Sequence, residues 1–165
     1  MKVIKLNRGF STLVDDEDFE FLSQWKWHAG ATPDGNWYAC RTVRSEGRTT
    51  FIWMHKVLCP GDPTRKVDHK NRDSLDNRKK NLRIATNSQN GANASKSKNN
   101  TSGFKGVTWC KASKKWQAQI MVNRKHIYLG LFEDKREAAA EYDRKAKELF
   151  GEFAATNRML GILSN

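Results

Sequence analysis

Asp68 and His69 stand side by side in VDHKNRDSLDNRKKNLRIATNSQN, residues 67–90, the stretch around which the chain is organised. Its pattern predicts a strand over 66–69, a polar loop over 73–80 that is too charged to be core, and a second strand over 81–85. Thr86 followed three residues later by Gln89 is a capping-box signature, so a helix opens there. Asp68 and His69 then point to opposite sides of one strand end, and Asn90, in the first helical turn, can fold back beside Asp68. A carboxylate and an amide oxygen are hard ligands that suit one Mg²⁺ or Mn²⁺ ion, with water and phosphate completing the shell. The neighbouring His69 is left to act as a base.

The same residues, with the NLR, AT and QN groups between them, resemble the HNH nuclease motif of the ββα-metal type found in homing endonucleases of phages and introns. Carried over by position, the resemblance makes Asp68 the metal carboxylate and His69 the general base. It makes Asn81 the middle Asn that orients the imidazole, and Asn90 the second metal ligand, in the place where the last letter of HNH is His. Hydrolysis by such a site is expected to leave 5′-phosphate and 3′-hydroxyl ends. Arg72, Arg78, Lys79 and Lys80 form a basic loop expected to grip flanking phosphates.

Charge agrees with a nucleic-acid partner. The 165 residues carry a formal net charge of +12, and no acidic residue occurs between Asp76 and Glu133. A phosphate backbone asks for such an unbroken positive stretch. An apolar content of 38%, with six Trp and eight Phe, implies folded cores. Cys40, Cys59 and Cys110 form no CxxC pair, so neither a zinc knuckle nor a disulfide framework is indicated. No segment has the length or apolarity of a signal peptide or membrane span. A soluble protein of a reducing cytoplasm, that of the host cell if phage-encoded, is the expectation, with no membrane and no small-molecule cofactor.

Before the motif, residues 1–14 read as a hairpin around Asn7-Arg8-Gly9. Asp15-Asp16-Glu17-Asp18 opens a helix, with acids where its dipole favours them. Residues 30–35 read as a turn, and 37–43 with 49–55 as a hairpin tipped near Gly47. His55 ends that hairpin, either as a packed structural residue or as a support or phosphate contact for the site.

After the motif, residues 93–102 are polar and small enough to be a basic linker between a domain over 1–92 and another over 103–158. Strands are expected over 104–110, 116–122 and 126–132, then a helix from Asp134, with Glu137 completing a capping box, to Gly151. That helix presents Ala138, Tyr142, Ala146, Leu149 and Phe150 to one face of the sheet. In the third strand Ile127, Leu129 and Leu131 should face one way, and His126, Tyr128 and Phe132 the other.

The run SGFKGVTW…KWQAQI…IYLGLFED…EAAAEYDRKAKELFGEFAATN resembles the DNA-binding domain of plant APETALA and ethylene-response-factor proteins, which also occurs fused to HNH nucleases. The resemblance implies a sheet that reads double-stranded DNA in the major groove. Lys105, Trp109, Lys111, Gln117, Gln119, Arg124, His126 and Tyr128 are the expected contacts. Thr108 and Met121 stand where the plant domains carry Arg, so base preference does not transfer. The fold class is therefore α+β: a ββα-metal domain with accessory antiparallel strands, then a small three-stranded antiparallel sheet on one helix. The function implied is a site-recognising, metal-dependent DNA endonuclease, monomeric and nicking. The rivals are a DNA-binding regulator on an inactive HNH scaffold and an RNA-binding accessory protein, the latter resting on charge alone.

Overall fold

A computed structural model describes residues 1–33, 35–62 and 64–164. It divides into two compact units, Met1–Ala85 and Thr86–Asn165. Helices mix with several small sheets, all antiparallel. Among the described residues no helix is long and apolar enough to cross a membrane.

The first unit begins with the hairpin β1 (Lys2–Lys5) and β2 (Ser11–Val14). Its turn uses positive φ at Arg8 and Gly9, as Asn-Arg-Gly suggests. Helix α1 (Asp16–Ser23) carries Asp16, Glu17 and Asp18 in its first turn. A three-stranded sheet follows in the order β3 (His28–Ala31), β4 (Trp37–Ser45), β5 (Arg48–Trp53). Strand β3 takes Gly30 and Ala31 out of the turn expected over 30–35, in which Asp34 lies outside the described residues. Its four residues, HAGA, are too small and plain to signal a strand; pairing with β4 makes it one. The expected strand end at His55 is instead the short helix α2 (Met54–Leu58). Val14, Leu22, Trp27, Ala39 and Met54 form the core, so residues from β2, α1, β4 and α2 meet there. The last hairpin of this unit is β6 (Lys66–His69) with β7 (Leu82–Ala85).

The second unit starts with α3 (Asn87–Asn93), whose N-cap Thr86 and Gln89 make the predicted capping box. Strands β8 (Val107–Cys110), β9 (Lys115–Val122) and β10 (Lys125–Phe132) pair in that order, and α4 (Lys135–Phe150) packs on them. Strand β8 starts later than expected because Phe104 turns into the core and Gly106 adopts φ +76°. A Cβ at Gly106 would lie 1.9 Å from the Tyr142 ring, so α4 approaches the backbone there as only glycine allows.

Two side-chain assignments change. A bulge between Tyr128 and Gly130 shifts the register, pairing Leu131 with Gln117 and Phe132 with Trp116. Leu131 thereby joins the outer face and Phe132 the core, the reverse of strict alternation. On α4, Leu149 is exposed while Asp143 is buried. Asp143 accepts hydrogen bonds from the backbone N–H groups of Asn157 and Arg158 and from Asn157 Nδ2, at 2.7–3.0 Å, so the C-terminal segment is held against its side of the helix. The side chain of Asp134 caps α4 by accepting from Arg136 N.

The expected linker is partly folded. Asn93 and Ser102 are buried, and Asn100 Nδ2 donates to Phe104 O at 2.7 Å. The unit boundary precedes α3, whereas composition alone suggests one after it.

A candidate catalytic site on the β6–β7 hairpin

Antiparallel pairing sets Asp68 opposite Arg83 and His69 opposite Leu82. The first pair closes as an ion pair, Arg83 Nε to Asp68 Oδ2 at 2.8 Å, with both side chains largely buried. The loop between the strands is built around Asn81. Its Oδ1 accepts from Asn71 N at 3.0 Å, its Nδ2 donates to Asp76 O at 2.7 Å, and its carbonyl accepts from Lys70 N at 2.9 Å. Asp76, fully buried, accepts from Asn71 Nδ2 and from Arg78 Nε and Nη2. Those Arg78 hydrogen bonds hold the Asp76 carboxyl below the usual range despite burial.

His69 is met by a different asparagine from the one the motif suggests. Its Nε2 lies 3.4 Å from Asn77 Oδ1, while Asn77 Nδ2 donates to Thr12 Oγ1 at 2.8 Å and Thr12 Oγ1 donates to Leu75 O at 2.6 Å. The Thr12 hydroxyl spends its proton on a carbonyl and can only accept from Asn77. Asn77 must therefore turn its oxygen to His69, an arrangement that suits an imidazole proton on Nε2. The backbone secures the same arrangement: Leu13 N donates to Leu75 O at 2.9 Å and Asn77 N to Leu13 O at 2.8 Å. The N-terminal hairpin is thus a strut for the loop.

Burial lowers the pKa of His69, opposed by the Asn77 hydrogen bond and by the charges of Asp68, Asp73 and Asp76. Desolvation is the largest effect, so the ring is neutral near pH 7, as a general base requires. His55 and Tyr38 pack against it, with ring centroids 5.4 and 5.9 Å from that of His69. Burial, and then the proximity of His69, takes His55 down to about 3. Of the two roles open to it, His55 has the buried contact with His69, on the short helix α2.

The basic loop divides. Arg78 is committed to Asp76, and Lys79 Nζ bridges Glu17 and Asp18 at 2.7 and 2.9 Å while its N–H reaches Asp15. Arg72 and Lys80 are exposed. The acidic start of α1 thus anchors the loop, a contact sixty residues away in sequence that composition could not reveal.

Among the described residues no group of three or more His, Cys, Asp and Glu side chains converges on a metal position. Of the two metal ligands expected from the sequence, the carboxylate of Asp68 lies in the first unit, paired with Arg83. A carboxylate is a hard ligand that fits a largely hydrated ion whose other ligands are water and phosphate, and does not fit a thiolate- or imidazole-seeking metal. Asn90 lies on α3, in the second unit.

Of the residues expected to contact DNA in the second unit, the structure brings Gln117, Gln119, His126 and Tyr128 onto one outer face: Tyr128 pairs with Gln119, and His126 with Met121. Trp109 lies on the other face, paired with Trp116, its ring edge-on at 4.9 Å. Lys111 and Arg124 are exposed beside the ends of strands. Lys105 points inward, its ammonium donating to the carbonyls of Ala92 and Ala94 at 2.6 Å and Ala155 at 3.2 Å. It ties the end of α3 to the segment after α4.

Missing from the sequence reading were Asn77, Thr12 and Arg83 as partners of the site. Asn77 stands four residues before Asn81 in the same loop, and only the docking of β2 tells the two apart. Cross-strand partners such as Arg83 depend on a register that a twelve-residue loop leaves open.

Residues 60–92 match the HNH endonuclease family. Over 156 residues the chain is 30% identical to an uncharacterized HNH endonuclease of Acanthamoeba polyphaga mimivirus, covering 93% of this chain and 79% of that one. Protein 3.8 of Escherichia phage T7 is 34% identical over 89 residues, 53% of this chain and 72% of its own length. An APETALA2-like protein 2 of Oryza sativa is 44% identical over 59 residues, 34% of this chain but 13% of that protein. No solved structure matches. The viral relative is matched along most of both chains, and the motif match falls on the hairpin that carries Asp68 and His69: the chain belongs to the HNH endonuclease family.

Proposed function

We propose that the chain is a site-recognising DNA endonuclease of the homing type, acting as a monomer and nicking one strand. The observation that carries this reading is His69, buried, neutral and held through Nε2 by Asn77, beside the Asp68 carboxylate. The His69 imidazole takes a proton from a water whose oxygen attacks the scissile phosphorus in line, the bond to the 3′ oxygen breaks, and that oxygen takes a proton from solvent. The products are a 5′-phosphate and a 3′-hydroxyl. Asn77 keeps the imidazole in the tautomer that can accept, and Asn81 holds the loop that carries Asn77. Arg72 and Lys80 are the loop cations offered to flanking phosphates, while Arg78 and Lys79 hold the loop in shape.

A divalent ion, Mg²⁺ or Mn²⁺, with Asp68 as its carboxylate ligand would supply positive charge for the phosphate and the departing 3′ oxygen. The outer face of β8–β10, with Gln117, Gln119, His126 and Tyr128, is the surface that reads duplex DNA in the manner of the APETALA-like domains. Lys111 and Arg124 are placed for phosphates at its edges. One base and one ion site support nicking.

The rival, a DNA-binding regulator on an inactive scaffold, has the Asp68–Arg83 ion pair in its favour, because a carboxylate already neutralised has less attraction for a cation. One assay separates them. The full chain is incubated with supercoiled plasmid bearing its target and Mg²⁺ or Mn²⁺, with an EDTA control and His69→Ala. The nuclease converts plasmid to open circle, EDTA stops it, and His69→Ala binds duplex within a few-fold of the parent without cutting. Binding without metal-dependent cutting by the parent would establish the regulator instead.

A further inference from the structure

Strand register divides the β3–β4–β5 sheet into two faces. Ala29 and Ala39, paired with each other, lie on the face that holds the core. His28, Thr42, Arg44, Phe51 and Trp53 lie on the other, through the pairings His28–Cys40–Trp53, Thr42–Phe51 and Arg44–Thr49. Rings form a row along this second face. Centroids run from His69 to Tyr38 (5.9 Å), Tyr38 to Trp53 (5.8 Å), Trp53 to Phe51 (6.4 Å) and Phe51 to His28 (6.4 Å). The row is buried where it starts, at His69, and open at Phe51, which is 54% exposed.

Two further features mark the face as built for contact. A Cβ at Gly30 would lie 2.6 Å from Cys40 Sγ and 3.4 Å from Trp53 Cζ3, so the glycine allows the Trp53 ring to lie close over β3. The three strands contain no acidic residue, and Arg44 is exposed at the far end of the face. An exposed Phe by itself is ordinary. Here it belongs to a line of rings that starts at the proposed base, on strands whose charge is all of the sign that attracts a phosphodiester.

We infer that this face is a nucleobase-stacking surface that receives unstacked bases of the DNA strand beside the scissile phosphate, with Phe51 as its outer platform. The inference rests on the reading of His69 as the base for DNA hydrolysis and adds a second DNA contact, in the first unit. Every base presents a π face, so stacking tolerates any sequence, and Arg44 would follow the backbone. Recognition by the second unit and strand handling by the first are then separate tasks on separate surfaces.

The test uses the full chain in EDTA, which keeps binding apart from cutting. The probe is a duplex with a mixed-sequence single-stranded gap that contains 2-aminopurine, whose fluorescence falls when it stacks on a ring. The parent should quench the probe, and Phe51→Ala should lose most of the quench and bind the gapped duplex about tenfold more weakly. Phe51→Trp should restore both. Phe21→Ala, which removes a ring 47% exposed on α1 and off this face, should match the parent. No quench by the parent, or equal quench with Phe51→Ala, overturns the inference, as does an equal loss with Phe21→Ala. Quench that depends on Phe51 in a chain that never cuts plasmid would sink the nuclease reading while leaving the stacking surface in place.

Discussion

Replacing Asn77 by Ala tests whether the base is held as its contacts imply. Asn77 is 1% exposed, so the change leaves a small polar cavity and removes two side-chain contacts, a 2.8 Å bond to Thr12 Oγ1 and a longer 3.4 Å contact to His69. The shorter bond is worth about 1 kcal/mol net and the longer less, with a further ~1–2 kcal/mol for the cavity. Thr12 keeps its bond to Leu75 O, so no buried hydroxyl is stranded. The sum, about 3 kcal/mol, is a large part of a typical 5–15 kcal/mol stability and still leaves a folded chain. The kinetic effect is larger in proportion. His69 keeps its ring contacts with Tyr38 and His55, so the proposed base remains but its tautomer is no longer dictated. Single-turnover nicking should fall by roughly 10- to 100-fold, short of the 10²–10⁴ that a general base can contribute. Urea unfolding and single-turnover nicking on the same preparation separate the two effects. A folded Asn77→Ala chain that nicks within twofold of the parent would refute the role given to Asn77.

Acid should destabilise the first unit in a defined window. His55 has a folded pKa of about 3, so its contribution is complete above its unfolded value near 6.5 and is lost as the pH falls toward 3, by at most ~1.4 kcal/mol per unit. Urea midpoints from pH 7 to 4 should show this loss and His55→Gln should flatten it; equal slopes would contradict the burial of a neutral His55. Lys105→Met should cost about 2–4 kcal/mol, because backbone carbonyls of Ala92, Ala94 and Ala155 lose a charged donor. The folded variant should keep its duplex affinity, and a large loss of affinity without a loss of stability would make Lys105 a DNA contact after all. Plasmid should accumulate as open circle without early linear product, since linear product at the first time points would require two sites acting together.

Local chemistry was legible without coordinates. The capping box at Thr86 and Gln89, the Asn-Arg-Gly turn and the acids that open α1 depend on neighbours a few residues away, and each appears where the pattern put it. The adjacency of Asp68 and His69 is covalent, and the strand that carries them follows from its own alternation. What the chain alone could not decide is every contact that required a register or a docking. Asn77 rather than Asn81 meets His69 because β2 runs beside the loop and Thr12 orients the amide. Lys79 is tied to α1 and Lys105 to backbone carbonyls, although both read as cations for phosphate, because a positive charge in sequence does not reveal which acceptors folding brings to it. The bulge after Tyr128 exchanged Leu131 and Phe132 between faces, since one inserted residue inverts a period of two. Side-chain type set the chemistry available to this protein, and tertiary packing selected which of those groups are left to perform it.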